Sequence, residues 1–218
     1  MPLAFSRGKD SLGAWLQLRR HGATVVPFYR EVVPGLAFVE ESLRWAEDFF
    51  ATRILRYPDP ALLAQLDDDA LQTPSSSAWW SRPTSPVLPF DWTAERIRDD
   101  ARAAAGVPGG FVAVGWRAAD SFGRRRVLRK TRGLDVSGRA WMPIWDWTHT
   151  RLEGELRAAG VRLPIDYRFW GRSFEAIDGR FLPAIKQHMP EDWRRICAWF
   201  PLAEAYLERE RFAQERST

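Results

Sequence analysis

The chain has 218 residues and a formal net charge of +4, and 45% of its residues are hydrophobic and 28% charged. This composition is typical of a globular protein, and the apolar runs fall well short of the roughly 20 residues that a membrane-spanning helix needs. A single cysteine, Cys197, excludes an internal disulfide and a cysteine-rich zinc or iron–sulfur site. Polar residues begin at Ser6 and leave no room for an apolar secretion signal. We therefore expect a cytoplasmic protein with no membrane partner.

Short apolar runs alternate with amphipathic segments along most of the chain. Leu12, Trp15 and Leu16, for example, share one face of a helix that follows the apolar run 3–5 across a polar turn. Residues 111–116 predict the clearest strand, because a continuous apolar run is typical of the buried middle of a parallel sheet. The other predicted elements are strands at residues 24–28, 54–55 and 140–145, and helices at residues 38–50, 61–71, 93–106, 152–160, 190–200 and 202–212.

Two segments break this pattern. Residues 73–92 are rich in proline and serine and contain Trp79, Trp80 and Trp92, and we interpret them as a long ordered loop or lid. Residues 117–139 contain seven arginines and one lysine against two aspartates, which makes them the most electropositive segment of the chain. We interpret them as an arginine-rich loop. Such a concentration of cations favours an anionic partner, either a nucleotide or a nucleic acid.

The alternation of strands and helices predicts an α/β protein. Right-handed crossovers between parallel strands give an open, mostly parallel sheet with helices on both faces. In sheets of this kind the ligand crevice lies at the carboxyl ends of the strands. We assign residues 1–175 to the α/β domain and residues 176–218 to a helical C-terminal extension packed on it.

The turn between the first predicted strand and the first predicted helix has the composition of a phosphate-binding loop. Its backbone N–H groups and the positive end of the helix point at an anion, and Gly8 permits a close approach. The Lys9 amino group and the serine hydroxyls can provide further contacts to the bound anion. The alternative is an ordinary polar turn. The loop consists of Ser6, Arg7, Gly8, Lys9, Asp10 and Ser11.

Two further motifs follow later strands. Arginines after the strand at 111–116 suit bidentate recognition of phosphate or sulfate, and a solvated basic loop is the alternative. After residues 140–145, Asp146 or Thr148 is expected to cap a helix. The first of these motifs consists of Gly115, Arg117, Asp120, Ser121, Arg124, Arg125 and Arg126, and the second of residues 141–148, residues 160–164, Tyr167, Gly171, Arg172 and Ser173.

Together the three motifs resemble those of the PP-loop superfamily, and in particular the phosphoadenosine phosphosulfate (PAPS) reductase-like family. That family carries Ser-Gly-Gly-Lys-Asp-Ser in its first loop, Gly-x-Arg-x-x-Glu/Asp-Ser-x-x-Arg after a middle strand, and Pro-Leu-x-Asp-Trp-Thr, Gly-x-Pro and Gly-x-Arg-Ser later. The resemblance spans residues 5–173 and implies the adenine nucleotide α-hydrolase-like, Rossmann-like fold. Arg7 replaces a family glycine, which either adds a cation at the phosphate site or costs backbone freedom where φ is positive.

The resemblance implies an enzyme that binds ATP or PAPS. Without the family's Cys-Gly-x-His segment and cluster-binding cysteines, the expected reaction is ATP cleavage between the α and β phosphates with Mg²⁺, on an unknown acceptor. Cys197 is expected to be a buried, inert thiol. Lys9, Asp10 and Arg117 are the expected catalytic residues, with Asp10 as the candidate Mg²⁺ ligand. The expected nucleotide-binding residues are Ser6, Arg7, Gly8, Lys9, Ser11, Gly115, Arg117, Ser121, Arg124, Arg125, Arg172 and Ser173.

Two other functions stay open on the sequence. One is a PAPS or adenosine phosphosulfate (APS) reductase, or a sulfotransferase-like enzyme, that takes its thiol from a partner. The other is a non-catalytic nucleic-acid-binding protein whose arginines contact the phosphate backbone. Release of pyrophosphate or of sulfite separates the first two functions, and steep salt dependence of nucleic-acid binding identifies the third.

Overall fold

The computed structural model describes residues 1–62 and 92–216. The helix predicted at 61–71 and the lid predicted at 73–92 lie almost wholly outside these ranges. The strands are β1 (Pro2–Ala4), β2 (Val26–Glu31), β3 (Leu55–Pro58), β4 (Val112–Val114), β5 (Leu134–Asp135) and β6 (Ala140–Trp141). The helices are α1 (Lys9–Arg20), α2 (Ala37–Phe50), α3 (Ala94–Ala104), α4 (Phe122–Thr131), α5 (His149–Ala158), α6 (Asp166–Trp170), α7 (Leu182–His188), α8 (Pro190–Trp199) and α9 (Ala203–Glu215).

A six-stranded sheet with the order β3-β2-β1-β4-β6-β5 forms the centre of the described chain. Neighbouring strands run parallel except at one edge, where β5 pairs antiparallel with β6. Leu3 in β1 pairs with Pro27 on one side and with Ala113 on the other. This arrangement confirms the predicted open, mostly parallel α/β sheet. The strand order reverses its direction between β1 and β4, which is where such sheets open a ligand crevice at the carboxyl ends of their strands.

Apolar cores lie on both faces of this sheet. Leu3 and Ala113 are fully buried in the larger core, together with residues of α1 and α2. Phe28 and Val112 belong to a separate, smaller core, where they pack with Ile97 of α3. Because side chains alternate along a strand, Val112 and Ala113 point to opposite faces. The inner strands β1, β2 and β4 therefore contact apolar cores on both sides, as the continuous apolar run at residues 111–116 predicted for β4.

The carboxyl-terminal helices belong to the larger core. Ile185 of α7 and both Ile196 and Trp199 of α8 are buried in the apolar cluster that contains the residues of α1 and α2. The Asp192 carboxylate of α8 accepts hydrogen bonds from two backbone N–H groups in the first turn of α2. A carboxylate there satisfies donors that no helical carbonyl can reach. Packing and a helix cap thus join this helical region to the α/β part of the chain.

The arginine-rich segment 117–139 differs from its prediction as a loop. It contains α4, where the Ser121 side chain caps the helix by accepting a hydrogen bond from the Arg124 N–H, and then the short strand β5. Leu128 is the buried residue of α4, so the helix has no apolar stripe that would reveal its periodicity. The strand predicted at 140–145 already ends at Trp141. Among the described helices, none is long and apolar enough to cross a membrane.

Candidate nucleotide site

The loop between β1 and α1 lies at the carboxyl end of β1, on the edge where the crevice opens. We call this loop, with the first turn of α1 (residues 5–11), the phosphate loop after its predicted role. Gly8 is the N-cap of α1, and no side chain caps this helix. The backbone N–H groups of Asp10 and Ser11 have no hydrogen-bond partner among the described residues. Unpaired N–H groups and the positive end of the helix dipole together favour a bound anion.

Two serines close the loop from inside. The Ser11 hydroxyl donates a hydrogen bond to the Gly8 carbonyl (2.8 Å) and accepts one from the Ser6 N–H (3.2 Å). Ser11 is only 3% exposed, whereas Ser6 is exposed and lines the crevice. The Ser6 hydroxyl also donates to the Ser11 hydroxyl (3.2 Å). The Ser11 hydroxyl therefore fixes the shape of the loop, and the exposed Ser6 hydroxyl is the more accessible of the two to a ligand.

Arg7 has the left-handed backbone conformation, with φ 62°. Its side chain is 1% exposed and forms a two-point ion pair with Asp166 (Nη2–Oδ2 2.7 Å, Nη1–Oδ1 3.3 Å). Nη1 also donates to the Ser42 hydroxyl (2.8 Å). The guanidinium is thus turned into the interior, in contrast to the expectation of an added cation at the phosphate site. The other expectation, a positive φ at this family glycine position, agrees with the structure.

Tyr167 and Ser173, from the last of the three sequence motifs, contact the loop on its outer side. The Tyr167 hydroxyl accepts a hydrogen bond from the Lys9 N–H (2.8 Å). Burial raises the pKa of this hydroxyl, so it stays protonated and can donate its own hydrogen to a ligand. On the same side, the Ser173 hydroxyl lies so near the loop that a Cβ on Gly8 would be 3.1 Å from its oxygen. The loop and this motif therefore form one wall of the crevice.

Asp166 is a residue of the site that the sequence analysis did not identify. Its side chain is 0% exposed, and besides the Arg7 guanidinium it binds the Phe174 N–H, which donates to Oδ2 (2.7 Å). The Asp166 carboxylate thus connects Arg7 of the phosphate loop with Phe174, the residue after Ser173. A buried arginine requires a carboxylate or a similar acceptor, but the burial of Arg7 is visible only in the structure, so no signal in the sequence pointed to Asp166.

Arg117 lies beneath the crevice surface. Its Nε is 2.5 Å from Asp10 Oδ1, its Nη2 is 2.8 Å from Asp120 Oδ1, and its side chain is 1% exposed. Because two carboxylates neutralise the guanidinium, little of its charge is left for a phosphate. The expectation that Arg117 acts directly on the nucleotide is not supported by this arrangement. It is a positioning residue that holds Asp10 and Asp120 at the edge of the crevice.

Gly115 lets the end of β4 approach the start of α1. A Cβ at this position would lie 2.7 Å from the Asp10 carbonyl carbon and 2.7 Å from the Ser11 nitrogen, which is closer than real Cβ atoms come. Only glycine fits here without a shift of the backbone. The close approach brings the second sequence motif against the phosphate loop, as the crevice at a strand-order reversal requires.

The crevice has a volume of about 560 Å³, within the usual range for sites that bind small molecules. Its described lining contains as many carboxylates as cations, and most of these cations have a carboxylate partner within 4.0 Å. Lys9 is the exception, since its amino group has no ion-pair or hydrogen-bond partner in the described parts of the chain. The lining cations are Lys9, Arg30, Arg98, Arg124 and Arg172.

The other predicted binding residues differ in their access to the crevice. Arg172 and Ser173 line it, and the Arg172 guanidinium is 2.5 Å from Glu175. Arg124 also lines it, paired with Asp120 at 3.2 Å. Ser121 serves as the cap of α4, and Arg125 is exposed on α4 outside the crevice lining.

Asp10 is placed as a Mg²⁺ ligand would be, beside the phosphate loop. Burial raises the pKa of its carboxyl group, and the Arg117 guanidinium opposes that shift. Oδ1 is engaged by Arg117, while Oδ2 has no partner among the described residues. No group of three or more metal-ligating side chains occurs in the described chain. A single carboxylate fits Mg²⁺ that is otherwise held by phosphate oxygens and water.

No protein-family model and no curated protein matches the chain. Among solved structures, it is similar to the NH3-dependent NAD synthetase of Campylobacter jejuni subsp. jejuni in complex with the nitrate ion. The sequences are 17% identical, the match covers 97% of this chain and 85% of that chain, and the TM-score is 0.41. A likeness of this degree identifies neither a substrate nor an activity, so the function is argued from the site itself.

Proposed function

We propose that the chain is a PP-loop enzyme that binds ATP in the crevice, with the triphosphate on residues 6–9. The Lys9 amino group carries this proposal, because it is the crevice cation without a partner in the described chain and it adjoins the free N–H groups of α1. The convergence of the three motifs adds support. Gly115 and Arg117, which follow β4, contact the first turn of α1, and the Tyr167 hydroxyl of α6 accepts a hydrogen bond from the Lys9 N–H.

The proposed reaction cleaves ATP between its α and β phosphates. A bond forms between an acceptor atom and the α-phosphorus, the P–O bond to the bridging oxygen breaks, pyrophosphate leaves, and the acceptor's proton passes to water. Lys9 and the N–H groups of α1 stabilise the charge that develops on the leaving pyrophosphate. Mg²⁺ held through Asp10 supplies further charge neutralisation when bound. Arg117 keeps Asp10 in place from below.

The second candidate is a PAPS or APS reductase, or a sulfotransferase-like enzyme, that uses an external thiol. Arg172 favours it, because its guanidinium is half-exposed on the crevice wall and contacts Glu175 through Nη2, which leaves its other N–H groups for a sulfate or an additional phosphate. Cys197 does not supply the thiol in this candidate. It lies on α8 outside the crevice lining and is half-buried rather than buried as expected. This partial burial raises the pKa of the thiol, which makes it a poor nucleophile at neutral pH.

A nucleotide panel tests both candidates. Thermal unfolding is measured with ATP, AMP, PAPS and APS, with and without Mg²⁺, because a ligand at 100 times its Kd adds about 2.7 kcal/mol of stability. We expect the largest shift with ATP and Mg²⁺, and pyrophosphate release once an acceptor is supplied. Release of sulfite from PAPS or APS with an added thiol would instead support the second candidate. No shift with any nucleotide would contradict both.

A further inference from the structure

Helix α4 is the most strongly basic element of the described chain. Its ten residues include five cations and no acidic residue. Of these cations, Arg124 has an ion pair, with Asp120. The other four are exposed and have no carboxylate partner among the residues described. They are Arg125, Arg126, Arg129 and Lys130.

Large apolar side chains lie among these cations. Phe122 is 81% exposed and Val127 is 58% exposed, both on α4. Trp116, which is 47% exposed, lies at the crevice rim with the Arg124 guanidinium carbon 4.8 Å from the centre of its ring. Exposed aromatic rings interspersed with unpaired arginines are the features with which proteins bind unpaired bases and phosphates. We call α4 and Trp116 together the α4 surface.

We propose that the α4 surface binds a single-stranded polynucleotide, and that this strand is the acceptor of the reaction in the crevice. The assignment as acceptor rests on the proposed function, whereas the binding surface does not. The charge of α4 favours this partner, because four cations without a carboxylate partner in the described chain attract a polyanion and repel a second copy of the same surface. The exposed Phe122 ring favours a strand with unpaired bases over a duplex, since stacking needs a free base face.

The α4 surface is continuous with the crevice. Trp116 and Arg124 belong to it and also line the crevice, where Arg124 pairs with Asp120. A strand on α4 can therefore extend a nucleotide over the rim toward Lys9. There an oxygen or nitrogen of the strand would form the bond to the α-phosphorus, with pyrophosphate as leaving group and the strand's proton released to water.

Fluorescence anisotropy with a labelled single-stranded oligonucleotide, as RNA and as DNA, tests the binding surface. The test variant is Arg125→Gln/Arg129→Gln, one helical turn apart on α4. Its matched control is Arg44→Gln/Arg157→Gln, which removes two exposed arginines that also lack a partner in the described chain. We expect the test variant to bind about tenfold more weakly and the log–log slope of its salt dependence to fall by about 0.7 for each phosphate that no longer meets an arginine. The control should bind as the parent does.

Further binding measurements distinguish a single strand from other partners of the α4 surface. Phe122→Ala should weaken single-strand binding about tenfold but leave the binding of polyglutamate and of duplex DNA unchanged. The proposal would be overturned if single strands did not bind, or if the test and control variants lost the same affinity for them. It would also be overturned if polyglutamate bound as tightly as the single strand. In the last case, the partner would be an acidic protein.

Calorimetry with ATP separates this inference from the proposed function. Arg125 and Arg129 lie outside the crevice lining, so the test variant should bind ATP as the parent does. If ATP binds and single strands do not, the inference fails and the proposed function stands. If single strands bind and ATP does not, the proposed function and the acceptor assignment both fail, and a nucleic-acid-binding protein remains.

Discussion

The phosphate loop and the α4 surface use arginine in opposite ways. Arg7 and Arg117, at the loop, are each 1% exposed and held by carboxylates. Arg125 and Arg129, on α4, are exposed and have no such partner in the described chain. A buried pair fixes local shape, because breaking one side leaves a charge in apolar surroundings. An exposed, unpaired arginine keeps its charge available to a partner. The surroundings of an arginine therefore decide whether it shapes a site or contacts a ligand.

The largest effect is expected at the buried pair. Asp166→Ala leaves the Arg7 guanidinium buried without its carboxylate and should lower the free energy of unfolding by about 3–5 kcal/mol. Chemical denaturation measures this loss. Glu191→Ala, which removes an exposed partner of Arg194, is the control and should cost less than about 1 kcal/mol. Similar losses in the two variants would mean that the Arg7 pair does not hold the loop.

A smaller effect is expected from two glycines, one in each region. Gly115→Ala should destabilise the protein by about 1–3 kcal/mol, because its Cβ meets the backbone of Asp10 and Ser11. A Cβ at Gly123 on α4 would have no atom within 4 Å. The higher helix propensity of alanine in Gly123→Ala should therefore stabilise the protein by up to about 1 kcal/mol. Denaturation curves of both variants measure whether the free energy of unfolding falls or rises in each. Destabilisation by Gly123→Ala would show that α4 is packed rather than open.

The smallest stability effect is expected at the cap of α4. Ser121→Ala removes the acceptor for the Arg124 N–H and should cost about 1 kcal/mol. Ser121→Asp keeps a capping oxygen and should retain the stability of the parent. Neither change should alter ATP affinity, measured by calorimetry, if Ser121 acts as a cap. A loss of ATP affinity in the alanine variant alone would restore the nucleotide contact that the sequence resemblance implies for this serine.

The sheet and the position of the loop between β1 and α1 were largely predictable from the sequence, whereas the phosphate-binding role of that loop stays a prediction. Strands buried on both faces are continuous apolar runs, so β1, β2 and β4 stand out against the polar turns that follow them. The carboxyl ends of parallel strands share one edge, which is why motifs distant in the chain could be expected to meet there. The crevice lining includes Gly8, Lys9, Gly115 and Arg172, as that argument requires.

The partners of the arginines could not be predicted in the same way. A charged residue in the sequence carries no sign of its burial, so the burial of Arg117 and the exposure of Arg125 could not be predicted. Asp166 pairs with Arg7 across 159 positions, and no local pattern encodes such a contact. Helix α4 was missed because a helix that packs through Leu128 alone has no apolar period.

The most direct test of the central claim compares two lysines by calorimetric titration with ATP and Mg²⁺. Lys9→Ala removes the crevice cation that has no partner in the described chain, and Lys130→Ala removes an exposed cation of α4 outside the crevice lining. A charge-assisted phosphate contact contributes about 1.5–3 kcal/mol, so the first variant should bind ATP about tenfold or more weakly while retaining its stability. The second should bind as the parent does. Equal ATP affinity in the parent and in Lys9→Ala would contradict the assignment of this loop as the phosphate site.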